Sequence, residues 1–255
     1  MNAAASRLAG RRILITGAAR GLGLAIARAC VAEGAQVMLA DVLAAEGAAA
    51  AHALGPAAHF IACDVAQRSD IAVAIDAAVA RLGGLDGLVN NAGIAPRGRI
   101  DDAAPADFDR VIATNLTAAF HATQLALPHL SAGSAIVNMS SVNGRLTIPD
   151  LLAYNVAKGG LDQLTRNTAV ALAPRGIRVV GIAPGTILTD LARDAVLADA
   201  AARQRILSRT PLGRAGEPHE IAAIAVFMIS DAASYITGET LYADGGRMAL
   251  NYTME

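Results

Sequence analysis

Tyr154 stands four residues before Lys158 in the stretch AYNVAKGG, Ala153–Gly160. On a helix that spacing puts both side chains on one face. The pair is then either surface decoration or a phenol whose proton is made labile by a neighbouring ammonium. An unperturbed phenol titrates near 10, too high to serve well as a base at neutral pH. A cation one helical turn away favours the phenolate and lowers that value. What decides between the two is what else the chain brings to this place.

Short apolar runs alternate with longer helical stretches. The runs are Arg12–Gly17, Ala35–Asp41, Ala58–Val65, Leu85–Gly93, Ser134–Ser141 and Ile177–Gly185, with a last one near Glu239–Gly246. The helical stretches are Leu22–Gly34, Val42–Gly55, Ser69–Gly84, Asp107–Leu130, Tyr154–Ala173, Leu191–Arg209 and Glu217–Ile229. Such alternation predicts βαβ units and a parallel sheet. The runs are continuously apolar, as expected when helices cover both faces. No linker or low-complexity tract interrupts them, so residues 1–255 are expected to form one doubly wound α/β domain. Sheets of this kind bind ligands outside the carboxyl ends of their strands. The chemistry should therefore sit at strand ends.

The first strand end carries TGAARGLG, Thr16–Gly23. Gly17, Gly21 and Gly23 let the backbone turn sharply and approach a pyrophosphate, and the helix that follows offers free N–H groups and a positive dipole end. The spacing is G-x-x-x-G-x-G, unlike the commoner G-x-G-x-x-G. Asp41 ends the second strand, where a carboxylate can accept bonds from adenosine ribose hydroxyls and repel a 2′-phosphate. That favours NAD over NADP. Arg20 inside the turn pulls the other way, because a guanidinium can pair with that phosphate. Asp41 could also be a solvated loop residue or a helix cap. Asp64, in the CDV stretch with Val65, is placed to bond an adenine amino group or to close a turn. Asn91, Ala92 and Gly93 end the fourth strand, where side-chain amides could touch a ligand or tie loops together.

The order TGAARGLG, CDV, NNAG, SS, YNVAK, APG, ADGG resembles the short-chain dehydrogenase/reductase family across nearly the whole chain. The resemblance implies a Rossmann-like sheet of about seven strands, a nicotinamide cofactor and a homotetramer. Asn115, Ser141, Tyr154 and Lys158 match the family's catalytic set, with none missing. By resemblance Ser141 holds the substrate oxygen toward Tyr154. Lys158 also binds the nicotinamide ribose, and Asn115 holds a water that relays protons to solvent. The cofactor contacts carried over are Gly17, Arg20, Gly21, Leu22, Gly23, Asp41, Asp64, Val65, Asn91, Ala92, Gly93, Tyr154 and Lys158. The segment APGTILTD adds Pro184 and Gly185, which could also serve only as a turn, and after them Ile187, through its backbone, and Thr189, through its hydroxyl, which receive the carboxamide. The implied reaction interconverts a secondary alcohol and its ketone, since removing hydride from an alcohol carbon requires removing the hydroxyl proton as well. An NADPH-dependent 3-oxoacyl-thioester reductase, which Arg20 suits, and a nucleotide-binding sensor without turnover are the alternatives.

Composition sets the outer limits. Of 255 residues, 54% are apolar and 17% charged, ample for a core. The net charge of −1, with basic residues spread along the chain, speaks against a nucleic-acid partner. Cys30 and Cys63 form no CxxC and stand near no histidine pair, so they are expected to be buried thiols and no metal is expected. Residues 1–17 contain no secretory pattern, and a cytoplasmic location is expected. No charged residue lies between Val111 and Gly144. Asn115, His121 and Pro128 interrupt that run, so a buried helix, turn and strand are expected rather than a membrane span, and the helix is expected to pack on more than one side. Substrate choice falls to the loops Ile94–Ile100 and Val142–Leu151 and to Leu191–Arg209, which reads as a lid. Arg97, Asn143 and Arg145 are polar candidates there, and the tail through Tyr252 could cover a pocket or a neighbour's pocket.

Overall fold

The apolar runs form the strands of one parallel sheet. The computed structural model describes residues 6–189 and 200–254. The strands are β1 (Arg12–Thr16), β2 (Gln36–Asp41), β3 (Ala58–Ala62), β4 (Gly87–Asn90), β5 (Ala135–Met139), β6 (Arg178–Pro184) and β7 (Thr240–Ala243). Their order is β3-β2-β1-β4-β5-β6-β7, and each neighbouring pair runs parallel. The described helices are α1 (Gly21–Ala32), α2 (Ala44–Leu54), α3 (Arg68–Leu82), α4 (Pro105–Ile112), α5 (Ala118–Ala126), α6 (Leu152–Leu172), α7 (Ala200–Leu207) and α8 (Pro218–Ile229). The rest of the expected lid, residues 191–199, lies outside the described residues.

The two-residue period of a strand sends neighbouring side chains to opposite faces. Ile13 and Ile15 of β1 enter a core with Ile26 and Cys30 of α1 and Ile221 and Val226 of α8. Leu14, between them, enters a second core with Ile71 and Ile75 of α3 and Ala122 of α5. The same alternation separates Val37 and Leu39 from Met38 in β2. Both faces are thus covered, which is why the inner strands are apolar throughout. Each fully buried side chain of this size contributes about 1.5–3 kcal/mol. Cys30 and Cys63 are free and buried, and burial pushes their thiols up to about 12 and about 11. No described helix is long and apolar enough to cross a membrane.

The chain reverses its direction of travel across the sheet at β1 and β4. The register there pairs Ile15 with Val89, so Thr16 and Asn90 end the two strands together. At their other end Arg12 forks onto Asp86, with Nε–Oδ2 at 2.7 Å and Nη2–Oδ1 at 2.8 Å. Such a switch point leaves a crevice between the loops that leave in opposite directions.

One expected element is broken. The stretch read as a helix over Asp107–Leu130 divides into α4, a π-helical turn at Ala113–Thr117, and α5. The π turn carries Asn115. Such turns occur mostly as single insertions, often at functional sites.

Candidate active site

The glycine turn after β1 is laced to the loop after β4. Thr16 Oγ1 accepts from the backbone N–H groups of Asn91 at 3.0 Å and Ala92 at 3.1 Å. Asn91 Nδ2 donates to the carbonyls of Thr16 and Gly17, both at 2.9 Å. Of the two roles open to the Asn91 amide, the loop tie is therefore present. The closeness dictates glycine. A Cβ on Gly17, at φ +63°, would lie 2.7 Å from Ala92 Cα, and one on Gly23 would lie 2.1 Å from the Gly17 carbonyl oxygen. Thr16 had no place among the sequence candidates. Its signal was a hydroxyl-bearing, β-branched residue ending an apolar run just before glycine.

No side chain caps α1, which starts at Gly21 behind the extended Arg20. A glycine cradle opening onto an uncapped helix start fits the pyrophosphate of a dinucleotide. Asp41 is buried, not solvated. Its Oδ2 accepts from Ala19 N at 2.9 Å in the turn, and its Oδ1 accepts from Leu43 N at 3.1 Å. It joins the glycine turn to the loop before α2. Asp64 is exposed and closes a local turn by accepting from Ala66 N at 3.0 Å. Val65 beside it is buried.

Ser141 follows β5, and α6 carries Tyr154 and Lys158 on one face. The Ser141 hydroxyl stands close enough to the Tyr154 phenol to favour its ionised form, and it accepts from Asn143 N at 3.1 Å. Lys158 is buried. Its Nζ donates to the Met139 carbonyl at 2.6 Å and lies 5.5 Å from the centre of the Tyr154 ring. The expected lowering of the phenol by Lys158 does not occur here. Desolvation raises the Tyr154 phenol, and the Ser141 hydroxyl offsets part of that. Burial also drives the Lys158 ammonium down, to about 8. Asn115 turns its amide to the backbone of Ile94, with Nδ2 donating to the carbonyl at 2.8 Å and Oδ1 accepting from N–H at 2.9 Å. Next to Asn115 and Lys158 lies a cavity of about 10 Å³ that also touches Thr16, Val65 and Asn90, room for about one water molecule.

The family model described as enoyl-(acyl carrier protein) reductase matches residues 17–248. The chain is 40% identical over 253 residues to 2-(S)-hydroxypropyl-CoM dehydrogenase 3 of Xanthobacter autotrophicus, covering 96% of this chain and 99% of that relative. It is 40% identical to a 3-alpha-(or 20-beta)-hydroxysteroid dehydrogenase of Mycobacterium bovis, over 95% of this chain and 91% of the relative. It is 37% identical to trans-4-hydroxycyclohexanecarboxylate dehydrogenase of Sinomonas cyclohexanicum, over 98% of each. The chain belongs to the short-chain dehydrogenase/reductase family. It is an NAD(P)-dependent short-chain dehydrogenase, which removes the sensor without turnover.

The β6 end of this dehydrogenase returns to the glycine turn. Gly185 donates to the Ala243 carbonyl at 2.9 Å, and a Cβ there would sit 2.8 Å from Asp244 Cα. Ile187 bridges to Gly216 and buries its side chain in the core. Thr189 comes beside Gly21, whose added Cβ would lie 3.8 Å from Thr189 Cγ2.

The polar candidates of the substrate loops are held by the protein itself. Arg97 pairs with Asp150, and Gly98 N donates to the Asp150 carbonyl at 2.9 Å, so the loops after β4 and β5 are joined. Asn143 Nδ2 donates to Asn155 Oδ1 at 2.9 Å. The Arg145 guanidinium lies 5.2 Å over the Tyr242 ring of β7. The tail docks through Met254 N on the Ser208 carbonyl at 2.7 Å, and Tyr252 is 82% exposed among the described residues. Sequence gave these residues loop positions and polarity; their partners come from segments far away in the chain.

Proposed function

We propose that this dehydrogenase interconverts a secondary alcohol and its ketone with NAD(H), Tyr154 acting as general acid/base. The observation that carries the reading is that α6 brings Tyr154 and Lys158 together, Nζ 5.5 Å from the ring centre, beside Ser141 at the end of β5 and among the same strand ends as the glycine cradle. The nicotinamide cofactor would accept hydride from the alcohol carbon, or return it to the ketone.

The chain's own residues divide the remaining work. Gly17, Arg20, Gly21, Leu22 and Gly23 take the pyrophosphate, Asp41 the adenosine ribose, and Asp64 with Val65 the adenine. Asn91, Ala92 and Gly93 fix the loop beside them. Pro184, Gly185, Ile187 and Thr189 receive the carboxamide. Lys158 grips the nicotinamide ribose together with Tyr154. Ser141 holds the substrate oxygen, and the Tyr154 phenolate takes the hydroxyl proton. The proton leaves through Lys158 and the small cavity beside Asn115. The names of the relatives support a secondary alcohol, since each specifies a hydroxyl-bearing compound that is oxidised.

The preference for NAD is supported by a carboxylate, Asp41, at the end of β2, which would accept from adenosine ribose hydroxyls and repel a 2′-phosphate. Arg20, exposed at the start of α1, supports a second reading, an NADPH-dependent 3-oxoacyl-thioester reductase. A panel of polyols, hydroxy acids, aryl alcohols, steroids and oxoacyl thioesters, followed by absorbance with each cofactor, separates them. NADH-linked turnover of a secondary alcohol or its ketone is expected. Preference for NADPH with an oxoacyl thioester would replace the first reading by the second. We also propose a homotetramer, supported by apolar side chains left exposed on α5 and α6.

A further inference from the structure

Ser141 and Tyr154 come from different elements, and the roles given to them need a fixed relation between the two. Ser141 lies in extended backbone and caps the 3₁₀ turn Val142–Gly144. Tyr154 sits in the first turn of α6. Two asparagines join the turn to the helix. Asn143, 5% exposed, donates its backbone N–H to Ser141 Oγ at 3.1 Å and its Nδ2 to Asn155 Oδ1 at 2.9 Å. Asn155, next to Tyr154, donates its own Nδ2 to the Ile148 carbonyl at 2.9 Å and its backbone N–H to the Leu151 carbonyl at 2.9 Å. One amide pair thus ties the serine turn, the substrate loop Val142–Leu151 and the tyrosine helix.

The carbonyl at the end of this chain of bonds fixes its direction. The Ile148 carbonyl can only accept, so Asn155 must turn its NH2 there and its oxygen to Asn143, which must answer with its own NH2. Flipping either amide sets oxygen against oxygen. The turn also rests directly on the helix, since a Cβ on Gly144 would fall 3.2 Å from the Lys158 carbonyl oxygen and 2.5 Å from Asp162 Oδ2. A hydroxyl carries one proton and two lone pairs. With the Asn143 N–H on one lone pair of Ser141, the hydroxyl proton must turn elsewhere, and the substrate oxygen is the acceptor its role provides.

We propose that Asn143 and Asn155 are positioning residues for the alcohol–ketone reaction, their amide pair aiming the Ser141 hydroxyl at the oxygen with which Tyr154 exchanges a proton. The proposal rests on the role given to Ser141 above, and the two are separable by experiment. Steady-state rates are measured with the secondary alcohol of the panel above that is turned over fastest, alongside NADH binding by fluorescence and Tm. Ser141→Ala must lower kcat; an unchanged kcat overturns the role of Ser141 and takes the proposal with it. With that role intact, Asn143→Ala and Asn155→Ala must each lower kcat by about 10–100-fold, the effect of a misplacement of up to about 1 Å, while NADH binding is kept. In the Ser141→Ala background Asn143→Ala must cost nothing more, because it acts through that hydroxyl. A further loss there, or a wild-type kcat in folded Asn143→Ala and Asn155→Ala proteins, overturns the proposal. If the alanine variants do not fold, or Ser141→Ala leaves too little turnover to measure, Asn155→Asp decides. It keeps the shape of the side chain and sets an oxygen against the Ile148 carbonyl. Its kcat must fall with NADH binding kept; an unchanged kcat overturns the proposal.

Discussion

Tyr154 and Lys158 are governed by depth as much as by spacing. A separation of four residues reports a shared helix face, and α6 provides it. It does not report what packs over that face. Burial raises the phenol and lowers the ammonium, so each is pushed toward its neutral form. The direction of pH dependence follows. The phenolate that takes up a proton grows as pH rises toward the raised value, so alcohol oxidation gains with pH, while the neutral phenol needed for ketone reduction persists through neutrality. Tyr154→Phe keeps the ring and removes the proton. Turnover should fall about 10²–10⁴-fold, the range typical of a lost general acid/base, while NADH binding measured by fluorescence weakens far less, because the remaining cofactor contacts stay in place. Unchanged turnover would remove Tyr154 from the mechanism. The four matched residues were legible because the motifs order them along the chain. Thr16 was not, because its bonds to Asn91 and Ala92 join strand ends 75 and 76 residues apart in the chain.

At the scale of elements, strand–turn–helix segments were legible and their interruptions were not. The glycine spacing and the apolar run before it foretold β1, the turn and α1. The π turn escaped, because charge-free alanine-rich sequence reads as continuous helix. Its place coincides with a tertiary contact, the Asn115 amide on the backbone of Ile94. The loop arginines escaped for a similar reason, since Asp150 and Tyr242 reach them from other segments. The glycine turn offers the sharpest test at this scale. Gly23 meets the Gly17 carbonyl and the Asn91 amide, the latter at 2.6 Å from an added Cβ. Neither is free to retreat, because Asn91 also holds Thr16. Gly23→Ala should cost about 1–3 kcal/mol in overpacking, seen as a lower Tm together with weaker NADH binding. A variant with the wild-type Tm and affinity would mean that the turn relaxes freely and is no rigid cradle.

For the whole molecule, alternation along the chain announced a parallel sheet but not the order of its strands. Crossover handedness limits the choices, yet nothing local to Gly87–Asn90 says that β4 joins the far side of β1. That step creates the crevice. The uncharged stretch from Val111 to Gly144 made a different promise, a helix packed on more than one side. One side is met within the chain, where Ala118, Ala122 and Ala126 of α5 enter the core. The other leaves Phe120 46% exposed, and neighbouring α6 leaves Val156 47% and Val170 77% exposed. Val156 and Val170 are fourteen residues apart, near four full turns, so they share one face of α6. Exposed apolar patches of this kind mark association surfaces more often than solvent-facing ones. Under the proposed homotetramer these side chains are expected to be covered by another copy of the chain. A charge placed on each helix should separate the copies. The double variant Phe120→Glu, Val170→Glu is expected to lower the mass measured by light scattering on a sizing column, from a tetramer to a smaller species. Circular dichroism should stay native, because both side chains already face outward. A tetramer that survives the double variant would put the contact elsewhere, and a wild type that runs as a monomer would end the tetramer proposal.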